Sequence, residues 1–266
     1  MDKKKKAVWG WAIYDWANSA FATTVMAGFF PIFFKNYWSS GANANESTAI
    51  LGYGNSIAGL IIALSAPILG AIADKSSARK KFLIGFAYLG ILMTAALFTI
   101  SKGNWAMAIL IYVTGVIGWT GANIFYDSLL PSVSDQDNID YISCLGYSCG
   151  YLAGGLLFLI NVLWALYPEW FGFADKAQAV RFSFLSVAVW WGGFSVFTII
   201  WVPEKKGDRP PSGSDSFIRQ GFDEIIGTLK DFKHLKTVFL FLLAYWFYID
   251  GVDTFIRMAV DQGYIL

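Results

Sequence analysis

Residues 7–34, AVWGWAIYDWANSAFATTVMAGFFPIFF, form a run of twenty-eight with a single charge, Asp15. About twenty apolar residues carry an α-helix across roughly 30 Å of hydrocarbon, so this run is long enough to cross a bilayer. Lys3, Lys4, Lys5 and Lys6 precede it. Its length and the lack of a small-residue cleavage pattern separate it from a removable signal peptide, and it reads as a retained helix. Five further runs follow at 49–73, 82–101, 105–130, 142–166 and 182–202, and a seventh starts near Thr237. In lipid these must be helices, because an open strand edge leaves backbone groups unsatisfied. The composition agrees: 56% hydrophobic, 18% aromatic and 15% charged residues, with mean hydropathy +0.50, exclude a water-soluble enzyme.

Charge gives orientation. Placing the N-terminus inside puts fifteen Lys and Arg in the inner segments, against four (Lys35, Lys102, Lys176 and Arg181) in the outer ones. That excess predicts a cytoplasmic N-terminus. The net charge of +1 provides no basic field for nucleic acid. Cys144 and Cys149, the two cysteines, point to different sides of one helix and suggest neither a disulfide nor a metal site. No phosphate loop, nucleophile elbow or metal-ligand cluster is visible, and His234, the single histidine, stands beside a membrane end. The sequence thus points away from an enzyme and implies no cofactor.

Three segments are expected. Residues 1–202 make a six-helix transmembrane half, 203–236 a cytoplasmic linker, and 237–266 the start of a second half. The linker opens with a stretch rich in Pro, Gly and Ser. It continues with Ile218, Phe222, Ile225, Ile226, Leu229 and Phe232 at helical spacing, an amphipathic helix on the membrane surface or docked on the bundle.

Polar groups inside the runs carry the functional expectation, since a carboxylate in lipid must face a cavity or a partner. Asp15 lies in the first run with Asn18 and Ser19 three and four residues on, read as one helix face. Asn123 and Asp127 share a face near the end of the fourth. Asp250 and Asp253 lie in the seventh, where Asp250-Gly-Val-Asp253-Thr254 echoes Asp15-Trp-Ala-Asn18-Ser19, as repeated halves would. These residues are the candidate substrate or proton pathway, with Tyr14, Trp16 and Trp119 as aromatic lining. Gly146, Gly150 and Gly154 recur every fourth residue, the spacing of a groove for close helix packing.

The turn Gly70-Ala-Ile-Ala-Asp74-Lys-Ser-Ser-Ala-Arg79-Lys80-Lys81 resembles the loop signature of the major facilitator superfamily. That resemblance implies a gating loop in which Gly70 permits close helix contact while Asp74, Arg79 and Lys80 form charge-assisted contacts between helix ends. Gly150-Tyr-Leu-Ala-Gly154-Gly155 is similar to the fifth-helix antiporter motif of that superfamily, with Tyr151 where proline stands. More specific still are Trp11-Ala-Ile-Tyr14-Asp15-Trp16-Ala17-Asn18-Ser19-Ala20-Phe21, Phe125-Tyr-Asp127-Ser-Leu-Leu-Pro131 and Leu145-Gly-Tyr-Ser-Cys-Gly150-Tyr151-Leu. Together they resemble the vacuolar amino-acid effluxers linked to autophagy and their bacterial relatives, over essentially the whole chain.

The resemblance implies an all-α membrane protein of the major facilitator fold. It implies a secondary transporter that moves amino acids or similar small solutes, in the efflux direction, by rocking two halves about a central site. Its partners are then the solute, protons as a coupling ion, the lipid bilayer and the second half of the transporter. That fold has about twelve spans, so the chain reads as an N-terminal fragment holding six complete spans, the linker and the seventh. A bacterial inner membrane is the expected location. The alternative is a non-transporting membrane scaffold or half-transporter assembly subunit, which would tolerate neutral replacements at Asp15 and Asp250.

Overall fold

The computed structural model describes residues 2–41, 43–76, 78–204 and 236–265. The fold is all-helical, and six of its helices are long and apolar enough to cross a membrane. We label α1 Lys3–Trp38, α2 Ala44–Ser76, α3 Arg79–Leu97, α4 Trp105–Ser128, α5 Ile139–Leu166, α6 Lys176–Trp201 and α7 Lys236–Ile265. The first run extends four residues past its expected end at Phe34, because a widened turn over Phe34–Trp38 carries the aromatic Tyr37 and Trp38 back into the bundle. In α7 the apolar part is Thr237–Val252. The linker and its amphipathic stretch, with His234, lie outside the described residues apart from Pro203, Glu204 and Lys236.

Local chemistry sets the helix ends. Asn104 caps α4 by accepting from the Met107 N–H at 3.4 Å, and Asp175 caps α6 through the Gln178 N–H at 2.7 Å. Gly103, at φ 84°, makes the turn between α3 and α4 and donates its N–H to the Tyr37 carbonyl at 3.1 Å. In α1, Phe21–Phe29 and Phe34–Trp38 are π-helical, flanking Pro31, which has no N–H to give to the ladder.

Hydrogen bonds between loops show that successive helices run antiparallel. At the end bearing the N-terminus, Lys4 pairs with Asp135 at 2.6 Å and Arg79 Nη1 donates to the Ser128 carbonyl at 3.1 Å. At the far end, Trp38 Nε1 donates to the Ile100 carbonyl at 3.3 Å and Arg181 Nε to the Phe98 carbonyl at 2.7 Å. The far half of the core is a column of rings: Phe30 stacks on Tyr112 with centroids 3.8 Å apart, and Trp38 on Phe184 at 5.8 Å.

α1 is the central element. It packs between α5 and α6, α3 packs on α4 and α6, and α2 rests mainly on α4. α2 and α5 therefore form the edges of the set, and both show long exposed apolar faces. α7 touches the π-helical stretch Phe21–Phe29 and the following turn Phe30–Phe33 of α1.

Candidate functional site

One row of polar residues lies on the seam between α1 and α5. Trp11, Asp15, Ser19 and Thr23 recur at intervals of four along α1, and α5 meets them with Gly146, Gly150 and Gly154. A Cβ at Gly146 would stand 2.6 Å from the Trp11 ring and 3.0 Å from the Tyr126 hydroxyl. At Gly150 it would lie 2.6 Å from Ser19 Oγ and 2.9 Å from Asp15 Oδ2, and at Gly154 2.9 Å from Thr23 Cγ2. The glycines leave room for polar side chains between two helices, where a larger residue would displace them.

Within that room Ser19 Oγ donates to Asp15 Oδ1 at 3.1 Å. Thr23 Oγ1 lies 3.1 Å from the Ser19 carbonyl and 3.2 Å from that of Gly154, binding α1 to α5. The second carboxylate oxygen of Asp15 has no hydrogen-bond partner among the described residues. One oxygen is oriented by a hydroxyl and the other remains able to hold a proton or a cation.

Asn18 does not share this face. Residues three and four beyond Asp15 point about 100° apart on a helix, and the neighbours differ accordingly. Asn18 Nδ2 donates to Asn123 Oδ1 on α4, and Trp119 Nε1 donates to the Asn18 carbonyl at 3.1 Å. At 2% exposure Asn18 is a buried clamp between α1 and α4 and not the lining of an open route. Tyr14, expected on the pathway, is likewise interior at 1% exposure, with its ring 5.0 Å from that of Tyr126. Trp16 turns to α6, where its ring stacks on Trp190 at 5.7 Å and its carbonyl accepts from Trp190 Nε1 at 3.1 Å.

Asp127 is exposed near the end of α4 and lies within electrostatic reach of Asp15. Two tyrosines absent from the sequence-based expectation accompany the pair. Tyr126 is buried, stacks on Trp11 with centroids 4.5 Å apart, and its hydroxyl has no hydrogen-bond partner among the described residues. Tyr147 of α5 is exposed and within electrostatic reach of both carboxylates and of Tyr245 on α7. The repeat of four that starts at Trp11 was the available signal for the α1 ridge. Tyr126 and Tyr147 stand inside the quoted motifs without an assigned role, because tyrosines near span ends ordinarily serve the membrane interface.

The basic residues after α2 grip helix ends. Arg79 reaches the Ser128 carbonyl at the C-terminus of α4, and Lys80 Nζ donates to the Val202 carbonyl beyond α6 at 2.7 Å. The Lys80 N–H meets Glu204 at 3.1 Å. Cations at helix C-termini are favoured by the free carbonyls and the helix dipole there. A Cβ on Gly70 would meet nothing within 4 Å among the described residues. The Asp74 side chain lies outside the described residues, as does that of Asp253, and Asp250 sits on an exposed face of α7.

The family model described as vacuole effluxer Atg22 like matches residues 3–50, 41–139 and 133–263. YxiO of Bacillus subtilis (strain 168), an uncharacterised MFS-type transporter, is 37% identical over 257 residues, covering 95% of this chain and 59% of the relative. An uncharacterised protein of Aquifex aeolicus is 30% identical over 155 residues, 57% of this chain and 38% of the relative. Autophagy-related protein 22 of Kluyveromyces lactis is 19% identical over 305 residues, 97% of this chain and 61% of the relative. The chain spans about three fifths of the length of the relatives that match nearly all of it. No solved structure matches. With its six apolar helices and a family match along nearly its whole length, the chain is a multi-pass membrane protein of the Atg22-like vacuole effluxer family, within the major facilitator superfamily.

Proposed function

We propose that the protein is a secondary transporter that exports small solutes such as amino acids by alternating access. In this reading residues 1–202 are the first half of the transporter, 203–236 the connector and 237–266 the beginning of the second half. The N-terminus faces the cytoplasm of a bacterial cell, and protons are the coupling ion. The observation that carries the reading is Asp15. A carboxylate in the middle of a membrane helix is costly, and here a row of glycines and an orienting serine accommodate it. The basic grip on the ends of α4 and α6 suits a gate that locks one access state, because it ties three helices at one membrane face.

Counterflow of radiolabelled amino acids into proteoliposomes tests this proposal. Vesicles loaded with an unlabelled amino-acid mixture should accumulate label above those loaded with buffer. Equal label in both would contradict it and favour a scaffold.

A further inference from the structure

Resting on that reading, we infer that Asp15, Asp127, Tyr126 and Tyr147 form the seat for the ammonium group of the solute, so that a protonated amine is the feature a permeant must carry. Two carboxylates lie within electrostatic reach of each other, and neither is ion-paired among the described residues. Like charges in a weakly polar medium repel, and a cation between them turns repulsion into attraction. A carboxylate ligand would add a third negative charge.

The hydrogen-bonding inventory matches an ammonium. Such a group offers three donors and no acceptor. The site offers acceptors at Asp15 Oδ2, at the Asp127 carboxylate and at the buried Tyr126 hydroxyl, which lacks a partner among the described residues. Tyr147 supplies an exposed ring within electrostatic reach of both carboxylates, a surface for the apolar stem of an amine or for cation–π contact. A bare metal ion would make little use of that ring or of the stacked rings of Trp11 and Tyr126.

The positions also make a path. Asp127 lies at the end of α4 that Arg79 grips, while Asp15 lies about three helical turns along α1 from its start at Lys3, beside Ser19 and Gly150. Arg79 is held by the Ser128 carbonyl, one residue from Asp127. A cation entering from that end meets Asp127 first and Asp15 second.

Thermal stabilisation of the protein in nanodiscs, with phenylalanine, phenethylamine and 3-phenylpropionate as matched probes, tests the inference. The amine and the amino acid should each raise the midpoint saturably, with apparent affinities at least about tenfold above that of the carboxylate. Asp15→Asn and Asp127→Asn should each weaken the amine about tenfold, and Tyr147→Phe should keep it while Tyr147→Ala lowers it. If Asp15→Asn does not fold, Ser19→Ala tests the same carboxylate through its orientation and should weaken the amine severalfold. Binding of 3-phenylpropionate as tight as that of phenethylamine would overturn the inference, as would an amine response untouched by both aspartate variants. Equal, competing stabilisation by sodium chloride but not potassium chloride would make this an inorganic-cation site instead. Amino-acid counterflow without amine selectivity would sink the inference and leave the transporter standing. Amine binding without counterflow would do the reverse.

Discussion

Two seams of this bundle use glycine for opposite ends. Between α3 and α4, Gly118 brings backbone against backbone: a Cβ there would fall 2.5 Å from the Gly90 nitrogen and 2.9 Å from the Phe86 carbonyl. Between α1 and α5 the glycines face side chains, and the nearest atoms to a Cβ at Gly150 are Ser19 Oγ and the Asp15 carboxyl. The first seam holds two helices together by close packing. The second makes space for groups that lipid would penalise, and such space has a use only if something enters it. Spacing alone separates the two poorly, since small residues at intervals of three or four serve both. What distinguishes them is the partner face.

The largest stability effect should come from Gly118→Ala, because backbone cannot rotate away from the added methyl. Overpacking of this kind costs about 1–3 kcal/mol, read as a lower midpoint in thermal unfolding. Asn18→Ala comes next. It strips the donor from Asn123 Oδ1 and leaves a polar group stranded between α1 and α4, a loss of about 1–2 kcal/mol with little change of shape. Gly150→Ala should cost under about 1 kcal/mol, since Ser19 and Asp15 can turn aside, yet it should lower flux about tenfold by moving the carboxylate. Equal destabilisation by Gly118→Ala and Gly150→Ala, with flux kept in the second, would erase the distinction between the seams. Least of all, Lys4→Ala breaks an exposed ion pair with both partners more than 60% accessible, and the midpoint should not move measurably.

Much of this could be read before any coordinates. The apolar runs gave the six crossing helices, because length and apolarity are properties of single segments and need no knowledge of neighbours. Asp15 stood out for the same reason, as an expensive residue in a run that otherwise avoids charge. Relations between segments were less accessible. Asn18 was grouped with Asp15 by proximity on the helix, but a difference of one residue in spacing sends Asn18 to α4 and sets Ser19 against Gly150 of α5. Tyr14 was expected to line a route and is instead packed inside, as its place on a helix surrounded by others allows. Gly70 carries a loop signature, but what a glycine permits depends on which helix lies opposite, and among the described residues none comes within 4 Å of a Cβ there. Tyr126 neighbours Asp127 in the chain and Tyr147 comes from α5, and both reach Asp15 only through the fold.

The most direct test of the account is amino-acid counterflow by Asp15→Asn in proteoliposomes, measured beside its thermal midpoint. The account predicts flux reduced at least about tenfold, equivalent to about 1.4 kcal/mol or more, with the midpoint close to that of the unsubstituted protein. Undiminished flux accompanied by a large fall in the midpoint would contradict it, making Asp15 a packing residue and the glycine row opposite it no more than helix contact.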